Sequence, residues 1–250
     1  MKVFLIAFSV GGATMLGGIL GYLIKYNNKK FDGVIFSFAA GIMMAASFSE
    51  LILPCADENY FMFFLCLLGI IGGGGLIVML QQLIPLIEKR ILRRGMSLSD
   101  AQASSRTGVL LFVAAIAIHN LPEGAAAGVG LGTGDMAKAV TVAAGIALQN
   151  IPEGMIVIPP LTRAGFSRRN ALYLSVFTGV IEIFGTYLGY LTSSVAGKIM
   201  PLILCVAGGT MLYVICTDLI DEACSLAGKK ASGFSFLAGC CIMLIMEKII

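Results

Sequence analysis

Eight apolar stretches divide this chain almost from end to end, and most are close to the roughly 20 residues that a helix needs to cross a hydrocarbon core. They run at about 3–24, 33–53, 60–87, 107–131, 139–161, 171–191, 199–220 and 234–250. Hydrophobic residues make up 58% of the chain, charged residues 12%, and the mean hydropathy is +0.94. Those values lie well outside the soluble globular range. The expected fold is an all-α polytopic membrane protein with eight transmembrane helices, forming a single transmembrane domain over residues 1–250. The first stretch is too long for the core of a signal peptide and reads as the first span. The third exceeds the required length and must tilt, kink or protrude, with the four glycines at 72–75 and Pro85 as candidate break points.

Polar connections separate the stretches, and their charges are lopsided. Odd-numbered connections hold 13 of the 17 basic residues, among them Lys29, Lys30, Arg163, Arg168, Arg169, Lys229 and Lys230. Basic residues mark the cytoplasmic side, so both termini are expected to face outward. A lipid or nucleic-acid patch is a second reading of the same residues. Topology determinants are the plainer account, and a net charge of +3 gives no support for a nucleic-acid partner. The connection at about 88–106 is the only long one and reads as a mobile cytoplasmic linker. The seven cysteines include no CxxC pair, and most fall within spans, where they read as small packing residues rather than a disulfide framework.

Two near-copies of one polar motif lie inside these runs. Ile-Ala-Ile-His-Asn-Leu-Pro-Glu-Gly occupies 116–124 and Ile-Ala-Leu-Gln-Asn-Ile-Pro-Glu-Gly occupies 146–154. Six of nine positions are identical at an offset of 30 residues, which is one span plus a short turn. Spans four and five run in opposite directions, so the two copies face each other near the midplane. A weaker pair links Gly41, Met43 and Glu50 of span two to Gly209, Met211 and Asp218 of span seven. Together they suggest that spans one to three and six to eight are inverted repeats around a central four–five pair, a plan that recurs in transporters.

Residues four apart share a helix face, about 40° apart. His119 and Glu123 are spaced so, as are Gln149 and Glu153, with Asn120 and Asn150 on the neighbouring edge. Each copy therefore offers one carboxylate and two neutral polar groups. Pro122 and Pro152 lack an N–H, which frees the carbonyls of Ile118 and Leu148 and kinks the helix. Span six adds Glu182. A carboxylate in the bilayer costs roughly 2.5–3.5 kcal/mol on insertion scales. Three of them without a buried Arg or Lys must be protonated or must hold a cation. Imidazole nitrogen with carboxylate and amide oxygen suits Zn²⁺, Fe²⁺, Mn²⁺ or similar ions. No Cys joins the motif, which counts against Cu(I), and an oxygen-only Mg²⁺ or Ca²⁺ site has no need of His119.

The paired motif resembles that of the ZIP family of zinc and iron transporters, and Gln149 in the second copy resembles the GufA-like prokaryotic branch. The resemblance implies a homodimer that moves divalent metal into the cytoplasm through a binuclear site. It implies one metal position from His119, Glu123, Gln149 and Glu153. It implies a neighbouring position from Asn120, Asn150 and Glu182, with the two motif glutamates shared. Met43 matches a span-two residue that can add a soft ligand, with Met44 the nearby alternative, and Asp57 corresponds to an acid at the outer entrance. The long connection departs from the family in having no His-rich tract.

Alternating access carried by spans four and five, with zinc or a similar divalent ion as cargo and no organic cofactor, is the leading mechanism. The alternative is an intramembrane metal-dependent hydrolase, but no second His exists to complete its metal site. Glu50 and Asp218 have two open readings, as attractors of cations at the two mouths or as charges meeting water.

Overall fold

The computed structural model describes residues 1–24, 28–56, 60–92, 100–132, 134 and 136–249. Among these residues there is no strand, and eight helices are long and apolar enough to cross a membrane. They are span one (Lys2–Leu23), two (Lys29–Ala56), three (Tyr60–Leu83), four (Gly108–Gly132), five (Ala139–Arg163), six (Arg168–Leu191), seven (Ile199–Ala227) and eight (Lys229–Ile249). Asn28 caps span two by accepting from the backbone of Lys30 and Phe31, and Ser167 caps span six by accepting from Asn170. Gly228 turns the chain between spans seven and eight at φ +81°, a backbone region that favours glycine.

Span three does not break at its four glycines. The helix continues to Leu92 and resumes at Asp100 ahead of span four, so much of the expected long connection is helical. Gly73 instead lets span three lie directly on span seven, where an added side chain would strike the carbonyl of Val206. Packing, not turn formation, accounts for that glycine.

Two π-helical turns interrupt the bundle, at Ser47–Ile52 in span two and Ile215–Leu219 in span seven. Such turns change the carbonyl pairing, and nearby hydroxyls bond to backbone oxygens there. Ser47 donates to the Met43 carbonyl at 2.7 Å, Ser49 to Ala45 at 2.9 Å, and Thr217 to Tyr213 at 2.9 Å. Glu50 and Asp218 sit on these two turns, 168 residues apart.

The same offset of 168 relates Gly11 to Gly179, Thr14 to Glu182, Gly17 to Gly185 and Gly21 to Gly189 in spans one and six. Packing follows it. Gly17 abuts the Ile151 carbonyl of span five, and Gly185 abuts the Leu121 carbonyl of span four. Gly21 meets Met155, as Gly189 meets Ala125. These partners are themselves 30 residues apart, the offset of the doubled motif. Spans one and five therefore pack as spans six and four do, and spans two and eight pair as seven and three do. Spans one, four, five and six form one glycine-packed group. Spans three and eight are the least buried.

Candidate metal centre

Seven buried polar side chains lie on neighbouring helix turns in the middle of this group. His119, Asn120 and Glu123 project from span four, Gln149, Asn150 and Glu153 from span five, and Glu182 from span six, all with no solvent exposure. The i, i+3 and i, i+4 spacings put each trio on one helix face. The faces are pressed inward by glycines on the turn that follows. Gly124 packs on the backbone of Glu182 and Thr186, and Gly154 packs on that of Thr14 and Gly18.

His119 Nε2 lies 3.4 Å from Glu153 Oε2, so the two motif copies meet across the pair of antiparallel helices. Glu123 is near enough to His119, Glu153 and Glu182 for their charges to interact. Glu123, Gln149 and Asn120 have no hydrogen-bond partner at any side-chain oxygen or nitrogen, and the approach of His119 to Glu153 is too long for a well-formed hydrogen bond. Buried polar atoms left unpaired cost roughly 1–3 kcal/mol each, and more when charged. Their concentration on two facing helix turns marks a place built to receive a charged or polar guest. As they stand, no three His, Cys, Asp or Glu side chains among the described residues converge tightly enough to enclose a metal ion. Three of the polar groups present are amides.

Glu182 differs from the other two acids. Its Oε2 accepts from Thr14 Oγ1 at 2.7 Å and its Oε1 accepts from Asn150 Nδ2. Asn150 Nδ2 also donates to the Val10 carbonyl at 3.2 Å. Thr14 is a polar residue of this centre that the motif reading missed. Its signal was the offset of 168, which places it opposite Glu182 in the other half.

Met43 is fully buried in the largest apolar cluster, together with Ile116, three residues before His119, and Ile156, three residues after Glu153. Met44 packs at the edge of that cluster. Asp57 lies outside the described residues.

Cavities approach the centre from both ends. One of about 710 Å³ is lined by Glu50, Glu247, Val129, Gly145 and Ile146, and so reaches to one turn from Gln149 at the end of the bundle where the termini lie. Another of about 270 Å³ is lined by Gln81, Phe112, Ala115 and Asp218, and reaches to one turn from His119 at the opposite, basic end. There Arg163 of span five pairs with Glu222 of span seven and lies over the Phe36 ring.

Residues 89–247 match the family model described as ZIP Zinc transporter. The chain belongs to the ZIP family. It is 29% identical to the zinc transporter ZIPB of Bordetella bronchiseptica over 94% of this chain and 77% of that protein. It is 28% identical to the zinc transporter ZupT of Streptococcus mutans over 97% of this chain and 95% of that one. With the zinc transporter GufA of Myxococcus xanthus it shares 36% identity over 55% of this chain and 54% of its relative. Family membership argues for transport rather than for the hydrolase alternative.

Proposed function

We propose that this protein carries divalent transition-metal ions, zinc foremost, across the cell membrane into the cytoplasm by alternating access. The observation that carries this reading is the set of ligand atoms on His119, Glu123, Gln149 and Glu153, buried between two antiparallel helices and, apart from the 3.4 Å approach of His119 to Glu153, without hydrogen-bond partners. Two carboxylates match the charge of one divalent cation, and one imidazole with an amide completes a mixed set suited to Zn²⁺, with Cd²⁺, Fe²⁺ and Mn²⁺ as competitors. Binding draws these groups inward from their present spacing. Asn120, Asn150 and Glu182 provide the adjoining polar groups of a second position, and Met43 borders the site from span two.

The glycine-packed group of spans one, four, five and six moves as the carrier against spans two, three, seven and eight. The two cavities, stopping one turn short of the centre on opposite sides, are the paths that such movement opens in turn. The concentration of basic residues at one end supports termini that face outward. The sparsely buried spans three and eight supply the contact of a homodimer. Zinc transporters among the relatives support the cargo.

The test is Zn²⁺ uptake into proteoliposomes, with Cd²⁺, Fe²⁺ and Mn²⁺ as competitors. Wild-type protein accumulates zinc, and Glu123→Ala loses uptake. Uptake that survives removal of both motif carboxylates contradicts the reading.

A further inference from the structure

Three cysteines that are far apart in sequence come together at the end of the bundle where the termini lie. Cys55 is near the end of span two, Cys66 near the start of span three and Cys205 near the start of span seven. All three are buried in one apolar cluster with Ile52, flanked by Ile70 and Leu204. Cys205 Sγ approaches Cys66 Sγ to 2.6 Å, and Cys55 is within hydrogen-bonding reach of Cys205. Glycine packing brings the pair together. A side chain added at Gly69, three residues after Cys66, would strike Cβ of Cys205. The three thiols differ in access. Cys66 and Cys205 are 2% and 0% exposed, whereas Cys55 lines the cavity of about 710 Å³. Their hydrogen bonds are weak ones. Cys55 donates to the Leu51 carbonyl at 3.3 Å and Cys66 to that of Ile52 at 3.8 Å.

We propose that Cys66 and Cys205 form a reversible disulfide site, loaded through Cys55 by a small disulfide that enters the cavity. Only the outward orientation of this end is shared with the transport reading, and disulfides persist on that side of a membrane. The thiolate is the reacting form of cysteine, so a thiol in apolar surroundings is a poor nucleophile. The oxidant is therefore met at the cavity wall rather than inside the cluster. The Cys55 thiolate attacks the incoming disulfide RSSR and forms a mixed disulfide, and the departing RS⁻ takes the proton that Cys55 lost. Cys205 then attacks Cys55 Sγ and expels the second RS⁻, which takes the Cys205 proton. Cys66 next attacks Cys205 Sγ, its proton passes to the departing Cys55 thiolate, and Cys55 is again a thiol. In sum, two protein thiols are oxidised and one RSSR is reduced to two RSH. Cys205 serves as the pivot because it meets both of the others. The bond joins spans three and seven, both outside the glycine-packed group, and so braces the frame around that group.

The test treats the reduced full-length chain, folded in detergent, with dithiodipyridine, a small uncharged disulfide whose thione product is read by absorbance. Cys216, Cys224, Cys240 and Cys241, which are the more exposed cysteines, are first replaced by serine. This protein is expected to release two equivalents of thione, to retain no pyridyl group and to yield a Cys66–Cys205 cross-linked peptide. A reductant then restores all three thiols. Adding Cys205→Ser stops the reaction at a pyridyl group held on Cys55, with one equivalent released. Adding Cys66→Ser gives a Cys55–Cys205 bond instead. Adding Cys55→Ser slows formation of the Cys66–Cys205 bond by about tenfold or more, because the accessible thiol is gone. Peptide mapping of wild-type protein treated in the same way decides the pairing even if a substituted chain fails to fold. A pyridyl group retained on Cys55 while Cys66 and Cys205 both remain open to alkylation overturns the proposal. So do thiols that react only after unfolding. A Cys55→Ser chain oxidised as fast as its parent overturns the loading route.

Discussion

Gly154 of span five lies on the backbone of Thr14, and Gly124 of span four lies on the backbone of Glu182, while Thr14 and Glu182 hydrogen-bond to each other at 2.7 Å. Each motif copy is thus clamped to a neighbouring helix at the level of its own glutamate, and the two clamps are joined. Close backbone approach and interhelical hydrogen bonds are among the main sources of helix association in lipid, where the hydrophobic effect between helices is absent.

The clamp predicts a stability signature. Gly154→Val places a side chain against the Thr14 carbonyl. Overpacking of this kind costs about 1–3 kcal/mol, equivalent to a fall in Tm of roughly 2–12 °C for a chain of this length. Gly75→Ala, at a position with open space beside it, is expected to hold or raise Tm, because alanine is favoured over glycine in a helix by about 0.5–1 kcal/mol. Thermal unfolding of the two purified variants in detergent checks the contrast.

Gln149 sets a selectivity prediction. An amide is a weaker transition-metal ligand than imidazole, and its two polar atoms are unpaired at the centre. Gln149→His is expected to favour Zn²⁺ over Mn²⁺ in competition uptake, shifting the ratio by about tenfold, while Gln149→Ala lowers the affinity for both. Equal effects of the two substitutions on both metals would contradict a ligand role.

Alternating access requires span five to move against span seven. Arg163 and Glu222 join these spans at the basic end. The pair is partly exposed, so its removal alters stability by no more than about 1 kcal/mol. A covalent link there has a different effect. In a background with the native cysteines replaced, R163C/E222C treated with an oxidant is expected to lose zinc uptake and to regain it on reduction. Uptake unaffected by the cross-link would show that the two spans do not separate.

Glu50 lines the larger cavity beside Glu247. If it draws cations toward the centre, Glu50→Gln lowers uptake at low ionic strength, and the deficit narrows as salt screens the field. Initial rates at two salt concentrations measure this. A deficit that does not change with salt points to packing instead, because Glu50 also presses on Gly145.

Much of this architecture was legible in the residue order. Hydropathy located all eight spans, with ends displaced by at most seven residues, because their length is imposed by the bilayer. The doubled motif led to six of the seven buried polar groups, because helical spacing alone puts them on one face. Thr14 was not legible in this way. A threonine in an apolar helix is unremarkable until its partner is known, and here the partner lies 168 residues away. The π-helical turns at Ser47–Ile52 and Ile215–Leu219 were also hidden, although Glu50 and Asp218 had been paired by spacing. Their local sequences fit an ordinary α-helix, and the extra residue in each is tolerated through hydroxyl bonds to backbone carbonyls. The glycines of span three misled in the opposite direction. In lipid, glycine serves close packing as readily as bending, and Gly73 does the former.

The central claim is that a divalent ion sits between the two motif copies, and the sole histidine of the chain makes this directly measurable. Zinc K-edge X-ray absorption of the loaded, tag-free protein is expected to show one imidazole and a shell of oxygens at about 2.0–2.2 Å, with the imidazole scattering absent in His119→Ala. A spectrum without imidazole, or one dominated by sulfur at about 2.3 Å, would contradict the account.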